Sequence, residues 1–377
     1  MALKGIKVIE MIGLAPGPFC GTILADFGAT VTVVQKLNPP PVDLMSNGKK
    51  AISVNLKTKE GVEILKKLCT TSDVLLDTYR PGVLEKLGLG PKVLLKENSR
   101  LIYAQLTGYG QSGCYRNKAG HDINYVAMSG LLSKLTKNGQ PPQPPLNIIA
   151  DFAGGSVICV LGILLALLDR TRSGKGQIID ASMTEGAAYI GAWLYKSQNT
   201  NLFSEEPGKN MLDGGFPFYT TYKTKDNKFM AVGSLEPQFF ANLLVGLNLS
   251  EEIYTQGNID ICKKKFEEIF LTKTQEEWNT IFENLDACVT PVLDINHVGE
   301  NVCHSTRKSF YKDKDNYFQP EPAPKLSTSP GIASGKQKAP KHGEHTVMVL
   351  QELGYSNSKI QDLIKNSCVY AYTNSHL

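Results

Sequence analysis

Two short stretches carry residues able to move a proton. In Ala119-Gly-His-Asp-Ile-Asn-Tyr125, His121 and Asp122 follow a glycine-rich polar loop, Gly108-Tyr-Gly-Gln-Ser-Gly113. Loops of this kind seat catalytic side chains above the carboxyl ends of parallel strands. Asp151 stands in Asn147-Ile-Ile-Ala-Asp-Phe-Ala-Gly-Gly155, just before an apolar run from Val157 to Leu168. An imidazole titrates near neutral pH, and a carboxyl beside an apolar wall holds its proton above the usual range, so the two suit general acid/base chemistry. Plainer readings stay open. An acid at the entrance of a helix is first of all an N-cap, which spacing alone favours, and a histidine beside an aspartate is unremarkable.

Other combinations carry less. His342-Gly-Glu-His345 spaces its histidines at i and i+3 with a glycine between them, which suits a loop running into a capped helix better than a metal site, and Cys303-His304 has no companion ligands nearby. No metal is expected. Gly13-Leu-Ala-Pro-Gly17-Pro is not the dinucleotide fingerprint, and the second strand ends in Gln35-Lys36 where a nicotinamide dinucleotide site would carry an acid. A base at that strand end suits a ligand phosphate instead, and Lys49, Lys50, Lys57 and Arg80 are further cations in the same half.

The elements that must hold these residues follow from the apolar pattern. Strand-like 6–11, a glycine-rich turn, a helix over 19–27 stopped by Gly28 and a strand over 30–34 make one βαβ unit. A helix over 59–69, a strand over 74–76, a helix over 81–87 and a strand over 101–105 continue the rhythm. The apolar run Val157–Leu168 reads as a helix buried on all sides, too short at 12 residues to span a bilayer, and a helix over 183–198 follows. From Pro217 the pattern changes to a hairpin, 218–222 and 229–232, followed by helices over 237–245, 263–270 and 274–284. An extended segment over 319–341 and helices over 344–353 and 358–364 close the sequence. The expected organisation is α/β: a large domain with a Rossmann-like parallel sheet over 1–198, a smaller α+β domain with its linker over 199–315, and a C-terminal segment, 316–377.

The sequence has 377 residues, enough for a substantial core, and its 40 Lys and Arg against 36 Asp and Glu leave a net charge of +4, too balanced for a general nucleic-acid binder. The eight cysteines are scattered with no C-x-x-C pair, as expected of small buried thiols in a reducing compartment. The start of the sequence lacks the apolar run of a secretory signal, and no membrane insertion is expected. Ser375-His376-Leu377 is a conservative variant of the Ser-Lys-Leu address read by the peroxisomal import receptor.

Several motifs, in order and at family spacing, resemble the α-methylacyl-CoA racemases of the family III CoA-transferase (CaiB/BaiF-like) superfamily. They are Gly13-Leu-Ala-Pro-Gly-Pro-Phe-Cys20, Ala25-Asp-Phe-Gly-Ala29, Gly108 to Gly113, Ala119 to Tyr125, Ala150-Asp-Phe-Ala-Gly-Gly155, Asn210-Met-Leu-Asp-Gly-Gly215, Pro217-Phe-Tyr-Thr-Thr-Tyr222 and Glu236-Pro-Gln-Phe239. The resemblance runs from residue 3 to about residue 355. It implies two chains interlocked as a homodimer and a C-terminal segment that returns to the large domain. By the same resemblance His121 favours racemase over transferase, because the racemases carry Gly-His-Asp where the transferases typically carry an aromatic residue before the Asp, and the transferases use the shared acid matching Asp151 as a nucleophile.

The implied reaction interconverts (2R)- and (2S)-2-methylacyl-CoA through an enolate, in β-oxidation of branched-chain fatty acids and of the sterol side chains of bile acids. His121 and Asp151 would flank C2. Glu236, from the small domain, and Asp122 would orient His121, and the backbone N–H of Asp151 would meet the enolate oxygen. No cofactor is implied, since CoA is part of the substrate. By the same resemblance CoA contacts fall at Lys36, Val54, Asn55, Leu56, Lys57 and Arg80, and at Gly120, His121, Asp122, Ile123, Asn124 and Tyr125. Lys36 departs from the family's arginine and loses the planar fork. The resemblance also implies peroxisomes, with a second pool in mitochondria. The competing readings are a CoA transferase acting through Asp151 and an acyl-CoA binder without turnover.

Overall fold

The computed structural model describes residues 1–38, 44–137, 139–200, 202–250, 253–254 and 258–373. Among them twelve strands run in chain order: β1 (Lys7–Met11), β2 (Thr30–Gln35), β3 (Lys50–Val54), β4 (Val74–Asp77), β5 (Ile102–Thr107), β6 (Ile178–Ser182), β7 (Tyr219–Lys223), β8 (Phe229–Gly233), β9 (Val289–Pro291), β10 (Phe310–Lys312), β11 (Phe318–Pro320) and β12 (Val369–Tyr370). The chain divides into two compact units, one of 1–131, 144–190 and 303–377, the other of 132–143 and 191–302.

The first unit is built on a seven-stranded sheet in the order β12-β3-β2-β1-β4-β5-β6. All neighbours are parallel except β12, which runs antiparallel along β3 with Val369 opposite Val54. Four of the five residues of β1 and every residue of β4 and β5 are buried, as a parallel sheet with both faces covered requires. Strand order reverses between β1 and β4, and ligands of open α/β sheets bind outside the carboxyl ends of the strands at such a reversal. The expected mixed α/β architecture with a parallel-dominated sheet is therefore present.

Four local expectations change. The first helix begins at Pro16, not at residue 19, since proline is tolerated where the first helical N–H groups lack acceptors anyway. The helix expected over 183–198 is two, Met183–Ile190 and Ala192–Ser197, interrupted at Gly191, where the second unit resumes. Accordingly the boundaries expected at 199 and 316 lie at 191 and 303, and residues 132–143 group with the second unit. Residues 332–337 are tied to the large unit by the N–H groups of Ile332 and Ser334, which donate to the carbonyl and carboxylate of Asp26 at 2.8 and 2.7 Å.

The fourth change concerns the apolar run. It lies inside one helical stretch, Ile148–Ser173, of 26 residues, long and apolar enough to cross a membrane. Length alone therefore no longer argues against a span. Its Cys159, Val160, Ile163 and Ala166 are buried, it packs on β5 and β6, and Arg170 is buried against Asp73 at 2.8 Å. Nor is it buried on all sides, for Leu161, Leu164, Leu165 and Leu168 are 41 to 62% exposed.

The second unit packs helices Pro237–Leu247, Ile259–Phe270 and Gln275–Phe282 with the antiparallel sheet β7-β8-β9. Tyr222 stacks on Phe270 with ring centroids 4.8 Å apart, and the Trp278 indole donates to the Phe270 carbonyl at 2.8 Å, so the largest side chains of its core are locked in place. All eight cysteines are free thiols; Cys20, Cys69, Cys159, Cys262 and Cys368 are buried.

Candidate active site

β5 delivers the chain into the loop 108–113, whose Gln111 N–H donates to both carboxylate oxygens of Asp180 on β6 at 3.1 and 3.0 Å. The chain then reaches His121, the extended residue before helix Asp122–Met128. His121 uses its backbone for the helix start: its N–H donates to Asn124 Oδ1 at 3.1 Å and its carbonyl accepts the Asn124 N–H at 2.8 Å. His121 itself is exposed. Behind it, the Tyr125 hydroxyl donates to the Gly120 carbonyl at 2.5 Å, and the Tyr125 ring meets Tyr109 edge-on at 5.1 Å. Burial pushes the Tyr125 hydroxyl up to about 12. Of the six positions expected to touch CoA here, Asp122 and Tyr125 are buried, whereas Ile123 and Asn124 are exposed.

Asp151 does not cap a helix. Leu146 and Asn147 both adopt left-handed backbone, at φ 54° and 52°, a costly conformation for side-chain-bearing residues that turns the chain into a π-helix, Ile148–Val157. Asp151 is the fourth residue of that helix and half-buried. Its carboxyl is held above the ordinary range, first by burial and also by the neighbouring Asp122 charge, against an Asn147 amide contact of 3.4 Å and the pull of His121. The π-helix is fixed by Ser156, whose hydroxyl donates to the Pro16 carbonyl at 2.7 Å, and by Phe152, edge-on to Phe19 at 5.2 Å. It lies directly against helix Met183–Ile190, with Gly154 facing Gly186.

Asp122 joins the two stretches. Its Oδ1 accepts the backbone N–H groups of Ala150 and Asp151 at 2.7 and 2.8 Å, while its Oδ2 is buried with no hydrogen-bond partner among the described residues. Two expectations are thereby corrected. The Asp151 N–H is already engaged and is not a free donor for an enolate oxygen, and the Asp122 carboxyl engages the Asp151 backbone where an orienting bond to His121 was expected.

The remaining candidates spread along the carboxyl edge of the sheet. Lys36 follows β2, exposed, with its ammonium 5.9 Å from the Tyr79 ring centroid; Arg80 follows β4 and is exposed. Beyond β3, which ends at the buried Val54, Asn55 is tied to the C-terminal segment by its N–H to the Cys368 carbonyl at 2.8 Å and its amide to the Ser367 carbonyl at 3.1 Å. Leu56 packs against the core and Lys57 is exposed. Lys49 is not available to a phosphate: its ammonium is fully buried, 2.8 Å from both the Glu10 carboxylate and the Pro18 carbonyl. Glu236 belongs to the second unit, exposed, at the start of helix Pro237–Leu247.

His342 and His345 have structural roles. His342 stacks on Tyr370 at 4.6 Å and its Nε2 donates to the Lys36 carbonyl at 2.9 Å, while His345 Nδ1 accepts the Ala51 N–H at 3.1 Å. Sequence reasoning missed Asp77, at the carboxyl end of β4 beside the reversal. It is 3% exposed, accepts the Tyr79 N–H at 2.9 Å and the Tyr103 hydroxyl at 3.2 Å, and is pushed up to about 7 by burial. An acid closing an otherwise apolar strand was the available signal.

The sequence profile of CoA-transferase family III matches residues 3–346. The chain is 51% identical over 367 residues to mouse alpha-methylacyl-CoA racemase and 50% identical over 368 residues to the human protein of that name, in each case over 96% of this chain and 96% of the relative. The crystal structure of a CAIB/BAIF family protein from Brucella suis superposes with a TM-score of 0.78 at 22% identity, over 93% of this chain and 99% of that one.

Proposed function

The chain belongs to CoA-transferase family III, and we propose that it is an isomerase that interconverts the (2R) and (2S) forms of 2-methylacyl-CoA thioesters. The observation that supports this reading is the bond from the Asp151 N–H to Asp122, which is covalently next to His121 and so ties the two stretches together, with the His121 charge bearing on the half-buried Asp151 carboxyl. Racemisation needs two proton carriers flanking one carbon. The C2 proton, acidified by the thioester carbonyl, passes to one of them while the other protonates the opposite face, and the roles exchange for the other enantiomer. Burial raises the Asp151 carboxyl above the ordinary carboxylate range, the direction that suits a proton donor. The same elevation works against the transferase reading, in which Asp151 must attack as an anion.

The enolate oxygen needs a donor other than the Asp151 N–H. The N–H groups of Asp122 and Ile123, which open helix Asp122–Met128 directly after His121, are the donors this reading assigns. CoA would lie along the carboxyl edge of the sheet, with Lys36, Lys57 and Arg80 as its cations. The proton leaves and returns without net oxidation, so the chemistry requires no electron carrier. Branched fatty acyl chains and sterol side chains are the substrates this reading assigns.

The exposed leucines of Ile158–Ser173 support a homodimer, since they form a leucine face that a second copy would cover. Ser375-His376-Leu377 lies outside the described residues; as a sequence it supports recognition by the peroxisomal import receptor, with a mitochondrial pool as a second destination. A reporter ending in this tripeptide should enter peroxisomes, and masking its terminus should abolish entry.

Incubation of a single enantiomer of 2-methylacyl-CoA in deuterated water tests the central claim. Racemisation with deuterium entering C2, and no acceptor acid present, is the expected result. CoA exchange between acids without C2 exchange would instead identify a transferase, and neither reaction a binder.

A further inference from the structure

Asp122 is 4% exposed, and its carboxyl is shared unequally. One oxygen accepts two backbone N–H groups, from Ala150 and Asp151, and the other, equally enclosed, has no hydrogen-bond partner among the described residues. Leaving a buried carboxyl oxygen unpaired is unfavourable, and an asparagine or serine could accept one of the same N–H groups with less to desolvate. A residue needed only to hold the backbone together would not have to be an acid. The charge gives the acid a use, because the field of Asp122 falls on Asp151 and opposes ionisation there.

We propose that Asp122 is a positioning residue for Asp151, holding the first turn of the π-helix so that the Asp151 carboxyl stands at a fixed offset from His121. This rests on the racemase reading. The Asp122 carboxyl acts through Asp151 and is not assigned a contact with the acyl group. The charged groups whose fields reach Asp151 are Asp122 and His121. The elements packed on the π-helix also carry Tyr125 on Asp122–Met128, Glu185 and Tyr189 on Met183–Ile190, Asp26 on Pro16–Asp26, Asp169, Arg170 and Arg172 on Ile158–Ser173, Tyr103 on β5 and Asp180 on β6.

The test uses the full chain with Asp122→Asn and Asp122→Ala, and reads kcat, KM, the pH profile of C2 deuterium exchange, and amide hydrogen exchange at Ala150 and Asp151. In Asp122→Asn, which keeps an oxygen acceptor, kcat should fall about tenfold with KM within twofold, and the limb of the profile assigned to Asp151 should move to lower pH. In Asp122→Ala, amide protection at Ala150 and Asp151 should fall at least tenfold and kcat about a hundredfold. Should the alanine variant fail to fold, the asparagine variant decides alone. An asparagine variant with a wild-type profile, or one whose loss lies in KM, overturns the proposal. The racemase reading fails separately, if the wild-type chain exchanges no C2 proton; the amide exchange then still reports whether Asp122 holds the turn.

Discussion

Gly154 and Gly186 meet backbone to backbone, so closely that a Cβ on Gly186 would lie 1.8 Å from the Gly154 carbonyl oxygen and one on Gly154 would lie 2.4 Å from the Ala187 nitrogen. The π-helix that carries Asp151 is thus seated at Gly154 on helix Met183–Ile190 with no side chain between the two backbones there. Gly186→Ala should push the π-helix outward, costing about 1–3 kcal/mol as overpacking does. Racemisation should fall further than the stability loss explains, because Asp151 moves with its helix. Thermal unfolding and turnover measured on the same preparation check this.

The two proton carriers should be individually indispensable. His121→Ala and Asp151→Asn should each reduce racemisation by about 10²–10⁴-fold, the usual contribution of a positioned acid or base, with the far-ultraviolet circular dichroism unchanged. Deuterium entry at C2 is the readout, and near-normal exchange in both variants would overturn the assignment of the site.

Asp77 should make stability depend on pH. Its carboxyl titrates at about 7 in the fold because of burial, against about 3.9 in an unfolded chain. The folded state therefore holds the extra proton across this window. The resulting contribution is complete below about pH 4 and is lost as pH rises through about 7. Asp77→Asn cannot ionise, so it should match the wild type near pH 4 and exceed it by on the order of 3 kcal/mol at pH 8. Urea midpoints at the two pH values give the comparison; a gap that is the same at both would refute the burial argument.

At the sheet edge, Lys36→Arg restores a planar fork at an exposed position beside Tyr79. The KM for acyl-CoA should fall by about three- to tenfold, on the order of 1 kcal/mol, with kcat unchanged, because the nucleotide end of CoA is remote from C2. An unchanged KM would place the CoA phosphates elsewhere.

What the sequence made legible, and what it hid, follows from where each signal resides. β1, β2, β4 and β5 are short apolar runs between turns, and each lies within about two residues of its expected place. β3 escaped because it opens on Lys50, directly after Lys49, and carries Ser53, polar residues that read as surface until the Ser53 hydroxyl is seen bonded to the Lys36 carbonyl at 3.1 Å. Lys49 misled for a related reason: its partner Glu10 stands 39 residues away among the buried residues of β1, and only the fold brings the two together. Asp151 could be found from its motif, but its surroundings could not. No residue type marks a π-helix, and the N-cap reading yielded to a left-handed pair, Leu146 and Asn147, that composition would not suggest. Asp122 was visible as a candidate, yet its partners are backbone N–H groups contributed by a different stretch of chain.

The pairing of Val369 with Val54 has a consequence for how each molecule is made. β3 is among the first strands to leave the ribosome, and β12, which covers its outer edge, is among the last. Through most of synthesis that edge offers unpaired N–H and carbonyl groups that any neighbouring strand could occupy. The nascent large unit is thus a template awaiting its own tail, and its correct completion is a race between a late, distant contact and association with other chains.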